Sequence, residues 1–353
     1  MGTTVGLINT YSTLNIGDSA IYSALAAMAP DAQVVAKFRD QTLQNTPGVQ
    51  VVTDLKHCDA YISVGGDIFN NAREYLITKE FIRNLLQLAA SPHRKFVFGQ
   101  SIPRSCHGMS FWALTFLMRR LAAVCVRDTE SHRRLTKAGV KAILSFDSAF
   151  SLTVSEGAIA AAQQIFAALE VEPGQAALIS LRAFDSMYKH DNAQFQGSIV
   201  NLCRQLAQRG HQPVLLLQSN AYHADNDFQV ADSITQQVPG LKVFNPFATS
   251  GPLANWEVVM GALAIARLII GVRYHTAVLS LACGRMPFNL YYSNKGRDLT
   301  ERLGVPGCNL ANFQPEAQLA EIEATSDRLF DHAALRQQVK GDFQTCYRKA
   351  LCL

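Results

Sequence analysis

The sharpest chemical signal in the sequence is Gly271-Val-Arg273-Tyr-His275-Thr276, which follows the apolar run Leu268-Ile-Ile-Gly271. Arginine supplies a fixed positive charge. A histidine two residues later supplies a proton near neutral pH, or a hydrogen bond when neutral. Both stand where a strand gives way to a helix, a place with few packing reasons for either residue. Ser180-Leu-Arg182 repeats the pattern. A guanidinium there binds a carboxylate or phosphate through two parallel hydrogen bonds, or forms a structural ion pair. After Pro287 comes Tyr291-Tyr292-x-x-Lys295-Gly296-Arg297, where Lys295 reads either as an anion ligand or as a solvated lysine. Together these residues suit a small anionic substrate.

The strand ends of the first half carry a different set. In Asn15-Ile-Gly-Asp18 the glycine admits a ligand close to the backbone, and open helical N–H groups favour an anion or a hydroxyl; an Asp N-cap explains the motif equally. In Gly65-Gly66-Asp67 the glycines clear space, and Asp67 can accept a hydrogen bond from a sugar hydroxyl or take its proton as general base. A cap with a tight turn is the structural alternative. Gln100 and Ser101, in Gly99-Gln-Ser-Ile-Pro103, can bind a polar group or simply form a polar loop. Arg127-Asp128-x-x-Ser131 reads first as an ion pair with a helix cap, and Arg127 is kept as a binding candidate.

The elements that must position these residues alternate along the whole chain. Strands are predicted at 3–9, 33–38, 49–53, 60–65, 95–101 and 124–127, with helices at 18–29, 72–90, 109–121 and 129–138, the last closed by Gly139. Runs such as Tyr61-Ile-Ser-Val64 and Phe96-Val-Phe98 are apolar without alternation, as in a strand covered on both faces of a parallel sheet. A second series follows a helix at 157–169 and a turn at 172–174. Its strands are predicted at 177–181, 213–218, 242–244, 267–272 and 288–292, and its helices at 194–209, 223–237, 255–264, 276–283 and 298–303. A polar helix at 327–350 closes the chain. Two such series predict an α/β protein of two Rossmann-like, doubly wound domains facing across a cleft, with ligands at the carboxyl ends of the strands. The expected boundaries are 1–152, 153–312 and a C-terminal helical segment at 313–353.

Composition agrees. A length of 353 residues suits two domains, and 48% hydrophobic with 17% charged residues excludes disorder or coiled coil as the main state. A net charge of +4 without a Lys/Arg run argues against nucleic acid as partner. The eight cysteines form no CxxC pair and no Cys/His cluster with zinc spacing, so no metal is expected and a reduced, cytoplasmic protein is. No leader-like N-terminal stretch is seen. The longest apolar runs, 111–118 and 268–272, fall short of the ~18 residues of a membrane helix, so membrane contact is expected to be peripheral at most.

Taken in order, Asn15-x-Gly-Asp18, Gly65-Gly66-Asp67, Arg127-Asp128-x-x-Ser131, Ser180-Leu-Arg182, Arg273-x-His275 and Pro287 with Tyr292-x-x-Lys295 make the sequence similar to the polysaccharide pyruvyl transferase family, over roughly residues 5 to 305. The resemblance implies a GT-B-like fold and transfer of a pyruvyl group from phosphoenolpyruvate to two hydroxyls of a sugar, closing a cyclic ketal. It implies no cofactor. The donor would lie in the second domain, held by Arg182, Arg273, His275 and Lys295. The acceptor, a sugar or lipid-linked oligosaccharide, would face the first, near Asn15, Gly66, Gln100, Ser101 and Arg127. His275 is expected as the acid or as a phosphate contact, and Asp67 as the acceptor-side base, with Asp18 the second candidate. Two departures bear on the acceptor: Gln100-Ser-Ile-Pro103 lacks a glycine expected before its proline, and Asp147-Ser148 has serine where proline is common.

Two other readings compete. A nucleotide-sugar glycosyltransferase of the same architecture would want a strand-end carboxylate for a ribose, and Glu257 and Glu301 stand in no clear signature for it. A non-catalytic glycan- or phosphate-binding homologue would keep the same polar strand ends. Fold alone licenses none of these functions.

Overall fold

The computed structural model describes residues 2–40, 43–55, 57–71, 77–184, 192–221, 225–249 and 251–352. These residues form two compact units, one of Met1–Thr13, Asp18–Ser151 and Ala333–Leu353, the other of Leu14–Gly17 and Leu152–His332.

The first unit runs β1 (Thr3–Ile8), α1 (Ile16–Ala27), β2 (Ala32–Ala36), β3 (Val49–Val51), β4 (Ala60–Ser63), α2 (Lys79–Ala89), β5 (Lys95–Gln100), α3 (Gly108–Met118), β6 (Ala123–Val126), α4 (Thr129–Lys137) and β7 (Ala142–Leu144). Its seven strands are all parallel, in the order β3-β2-β1-β4-β5-β6-β7. The direction of winding reverses at β1 and β4, where Leu7 pairs with Ala36 on one side and Ile62 on the other. β5 and β6 are buried along their whole length, which is why Phe96-Val-Phe98 and Ala123–Val126 read as apolar runs without alternation. Phe81, Leu88, Leu114, Met118 and Leu135 of α2, α3 and α4 pack in one core with Val97, Val124 and Val126 of the sheet. α4 ends as expected: Gly139 takes φ +75°, its N–H donates to the Thr136 carbonyl and that of Val140 to Leu135. α2 starts later than the predicted 72–90. Thr78 caps it by accepting from the Phe81 N–H at 3.2 Å, and 72–76 lie outside the described residues.

The second unit runs α5 (Glu156–Ala168), β8 (Ala176–Ser180), α6 (Asn192–Gln208), β9 (Gln212–Leu216), a small hairpin of β10 (Asn220–Ala221) and β11 (Asp225–Asn226), α7 (Asp227–Thr235), β12 (Lys242–Phe244), α8 (Asn255–Ile265), β13 (Leu268–Gly271), α9 (Tyr274–Ala282), β14 (Phe288–Tyr291), α10 (Asn294–Leu303), β15 (Gly307–Asn309) and α11 (Pro315–Glu323). Its six-stranded parallel sheet has the order β12-β9-β8-β13-β14-β15, reversing between β8 and β13. Both units are Rossmann-like and doubly wound. α7 begins at Asp227 rather than 223, and 222–224 lie outside the described residues. α10 begins at Asn294 rather than 298, which puts Lys295 in its first turn. β7, β15 and α11, each short, were not anticipated.

The segment expected as a separate helical piece at 313–353 divides. α11 stays with the second unit, while α12 (Ala333–Leu351) belongs to the first. Phe343 anchors it, edge-on to Phe96 at 5.7 Å and Phe98 at 5.3 Å, with Tyr347 stacked on it at 5.6 Å. No helix among the described residues is long and apolar enough to cross a membrane.

The cysteines are thiols in graded surroundings. Burial pushes Cys106 up to about 11 and Cys203 to about 12, whereas Cys352 is exposed. Brief alkylation of the native protein at neutral pH is expected to mark Cys352 well before Cys106 or Cys203, read by peptide mass spectrometry. Equal rates at the three would contradict this packing.

Candidate active site

Arg273 is the N-cap residue of α9, and His275 stands in that helix's first turn. The Ser180 hydroxyl, at the end of β8, accepts the N–H groups of Val272 at 2.8 Å and Arg273 at 3.2 Å, tying two adjacent strand ends together. The Arg273 side chain is buried at 7% exposure. Its Nε donates to the two carboxylate oxygens of Asp227 at 3.2 and 3.1 Å, and a terminal nitrogen donates to Oδ1. Asp227, fully buried at the start of α7, also accepts the N–H groups of Gln218 at 2.8 Å and Ser219 at 2.9 Å. The charge of Arg273 is thus balanced inside the protein. Thr276 donates to the side-chain oxygen of Gln218, adding a second tie from α9 to the loop after β9.

Leu14–Gly17 joins this cluster. Ile16 donates its N–H to the Gln218 carbonyl at 2.9 Å, Asn220 donates to the Leu14 carbonyl at 3.0 Å, and the Asn15 side chain accepts from the Gly17 N–H at 3.0 Å. Gly17 lies against the imidazole of His275. A methyl group at position 17 would come within 1.9 Å of Nδ1. The ring fills the space that any side chain at position 17 would need. Tyr274 meets His275 edge-on at 5.3 Å, and Lys295 Nζ stands 5.4 Å from the Tyr274 ring centre. Arg182 donates to the Tyr292 hydroxyl at 2.6 Å, its guanidinium 5.1 Å from that ring's centre. Arg182, His275 and Lys295 therefore follow the neighbouring strands β8, β13 and β14, Arg182 against Tyr292 and the other two against Tyr274. Two cations and an imidazole at one sheet end can bind an anion and move a proton.

The first unit gathers its own set. A Cβ at Gly65 would sit 2.6 Å from the Gly99 carbonyl oxygen, so the loop after β4 lies directly against the backbone near the end of β5. Gly66 takes φ +120°, and its carbonyl accepts from the Ser101 N–H at 3.0 Å and from the Gln100 side chain. Arg127 is buried. It donates to Ser101 Oγ at 2.9 Å and to Asp147, and lies 3.6 Å from Asp67. Asp128 accepts the N–H and the hydroxyl of Ser131 at 2.8 and 2.7 Å, capping α4. Asp128 thus caps the helix as read from the motif, while Arg127 pairs outside the motif, with Asp147 and Asp67 rather than with Asp128. Gln100, Ser101 and Arg127 are interior, holding the loops that carry Asp67, whose side chain reaches solvent at 31% exposure. Asp18 is half-buried in the first turn of α1. The Tyr22 phenol is raised well above its usual range, by burial first and then by the charge of Asp18.

The sequence model of the polysaccharide pyruvyl transferase family matches residues 15–294. The chain belongs to the polysaccharide pyruvyl transferase family. Every candidate residue from Asn15 to His275 falls inside the match, and Lys295 follows it directly. No curated protein matches the sequence. Among solved structures, UDP-GlcNAc 2-epimerase from Methanocaldococcus jannaschii is similar at 10% identity, with 98% of this chain and 99% of that one covered and a TM-score of 0.59. UDP-N-acetylglucosamine 2-epimerase from Rickettsia bellii is similar at 9% identity, with 100% and 96% covered and a TM-score of 0.59. A UDP-forming alpha,alpha-trehalose-phosphate synthase from Burkholderia xenovorans is similar at 9% identity, with 100% and 96% covered and a TM-score of 0.51. At these identities the likeness is one of fold, of the GT-B-like class. As a polysaccharide pyruvyl transferase, the protein is a transferase of polysaccharide biosynthesis.

Asp227 and Asp147 were not singled out as charge partners by sequence reasoning. Asp227 lies 46 residues before Arg273, inside what reads as an ordinary surface helix. Only the unexplained burial demanded by Arg273 in an apolar context hinted at an acid elsewhere.

Proposed function

We propose that this protein transfers the pyruvyl group of phosphoenolpyruvate onto two hydroxyls of one saccharide, closing a cyclic ketal. The observation that carries the reading is the grouping of Arg182, His275 and Lys295 at the carboxyl ends of three neighbouring strands, inside a chain of this family. The donor bears a carboxylate and a phosphate on three carbons. Arg182 and Lys295 supply charge for it. Arg273, balanced by Asp227, acts by fixing the turn that presents His275.

His275 gives a proton to the methylene carbon, and C2 gains oxocarbenium character. A sugar hydroxyl attacks C2, its proton passing to a general base. The C2–O bond to phosphate then breaks, the bonding pair leaving with phosphate, and the second hydroxyl closes the ring. Of the two hydroxyl protons, one balances the new methyl group and the other leaves with phosphate. Acid–base help of this kind is worth about 10²–10⁴ in rate.

One of the two carboxylates weighed for a nucleotide sugar is already engaged. Glu257 accepts the Ala254 N–H at 2.8 Å as part of the α8 cap, and Glu301 is exposed beside Arg297. The test is phosphate release from phosphoenolpyruvate across a panel of free and lipid-linked saccharides, with mass spectrometry of the product. Phosphate and a product heavier by one pyruvyl ketal are expected. Nucleoside diphosphate release from a nucleotide sugar, with phosphoenolpyruvate inert, would replace this reading by glycosyl transfer.

A further inference from the structure

Five of the nine large apolar side chains exposed among the described residues lie on α2 and α3, which pack side by side. Ile82 and Leu86 form an i, i+4 stripe on α2. Met109, Trp112 and Phe116 form an i, i+3, i+7 stripe on α3, with Met109 and Trp112 exposed at 69% and 65%. The opposite sides of both helices are already buried in the core of the first unit. Trp112 and Phe116 stack at 5.6 Å. Apolar groups gathered in this way mark an interaction surface.

Charge identifies the occupant. Residues 104–141 hold eight Arg and Lys against two Asp and Glu, a net +6, whereas the whole chain carries +4. Arg127 and Asp128 of that count are buried, but Arg104, Arg119, Arg120, Arg133 and Lys137 are exposed. Arg120 lies over the Phe116 ring at 3.6 Å. Arg133, paired with Glu130, lines an open groove between α3 and α4 with Lys137 and Phe111. A second copy meeting this face symmetrically would set two such positive surfaces against each other. Aromatic and aliphatic side chains edged by arginine and lysine instead match the interface of an anionic bilayer.

We propose that the α2–α3 face docks on an anionic lipid bilayer, with Leu86, Met109, Trp112 and Phe116 entering the interfacial layer and the flanking cations meeting lipid phosphates. None of the candidate active-site residues lies on α2 or α3, so docking and chemistry are separable.

The test is sedimentation of the full chain with phosphatidylcholine vesicles, with and without phosphatidylglycerol. Retention is expected on the anionic vesicles and is expected to fall with salt. Trp112→Ser with Phe116→Ser is expected to weaken it about tenfold or more, and Arg119→Gln or Arg120→Gln about fivefold each. Phosphate release on a soluble acceptor should not change in these variants. The chain has two tryptophans, and Trp256 is buried at 5% exposure. In Trp256→Phe protein, emission from Trp112 should shift to the blue on anionic vesicles. Failure to sediment, sedimentation indifferent to the Trp112 and Phe116 changes, or a solution dimer dissociated by those changes would each overturn the proposal.

Discussion

Gly17→Ala is expected to lower turnover by about 10²–10⁴, the range for losing a general acid, without weakening the helix that holds it. Gly17 sits in the first turn of α1 with no positive φ, so alanine suits the backbone there and raises helix propensity by up to about 1 kcal/mol. The damage comes from the methyl group, which would stand 1.9 Å from His275 Nδ1. The segment cannot easily retreat, because the Ile16 N–H is bonded to the Gln218 carbonyl and the Gly17 N–H to Asn15. The imidazole must turn away instead. Removing the ring by His275→Ala should cost about as much. The double variant should be no worse than either single change, since the clash and the group it displaces vanish together. kcat and KM for phosphoenolpyruvate, measured on all three, decide the matter. Wild-type kcat in Gly17→Ala would remove His275 from the role of acid. Multiplied losses in the double variant would show that Gly17 acts through something other than the ring.

The same contact shows how far the sequence could be read. Asn15-x-Gly-Asp18 was recognisable as a motif because short polar punctuation at a strand end is rare enough to notice. The reason for its glycine was not, because it depends on a histidine 258 positions away, and nothing local records which ring will cover a Cα. The strand Lys95–Gln100 was legible because burial on both faces leaves the apolar run Phe96-Val-Phe98 at its centre, and α4 because its capping glycine is a local event. α12 was legible as a helix, but its amphipathic face carries no address. Only the packing of Phe343 on Phe96 and Phe98 assigns it to the first unit. The polar strand ends were found for the same reason as the motif, yet they fall into two kinds that the sequence does not separate. Gln100, Ser101, Arg127 and Arg273 are turned inward as struts, while Asp67 reaches solvent, and His275 and Lys295 stay partly exposed. An arginine at a strand end signals either a ligand or a distant acid, and the choice is made by tertiary structure.

Asp227 is the acid that makes that choice for Arg273, and its removal carries the largest expected loss of stability. Asp227→Ala withdraws the carboxylate facing a buried guanidinium and leaves the Gln218 and Ser219 N–H groups without their acceptor. Breaking a buried pair from one side costs about 3–5 kcal/mol, and urea unfolding should register a loss of that size. Asp227→Asn keeps the shape and one acceptor oxygen and should lose less. Turnover should fall in both, because the turn bearing His275 hangs from Arg273. A paired change separates the two effects. Asp227→Leu with Arg273→Met replaces both charges by apolar groups of similar size, and such replacements are often neutral for stability. The double variant is therefore expected to recover much of the unfolding free energy while turnover stays low. An Asp227→Ala protein with an unchanged urea midpoint would show that the pair contributes little to the fold. A double variant that regained turnover along with stability would show that His275 is held in place by packing alone, with no need of the ion pair beneath it.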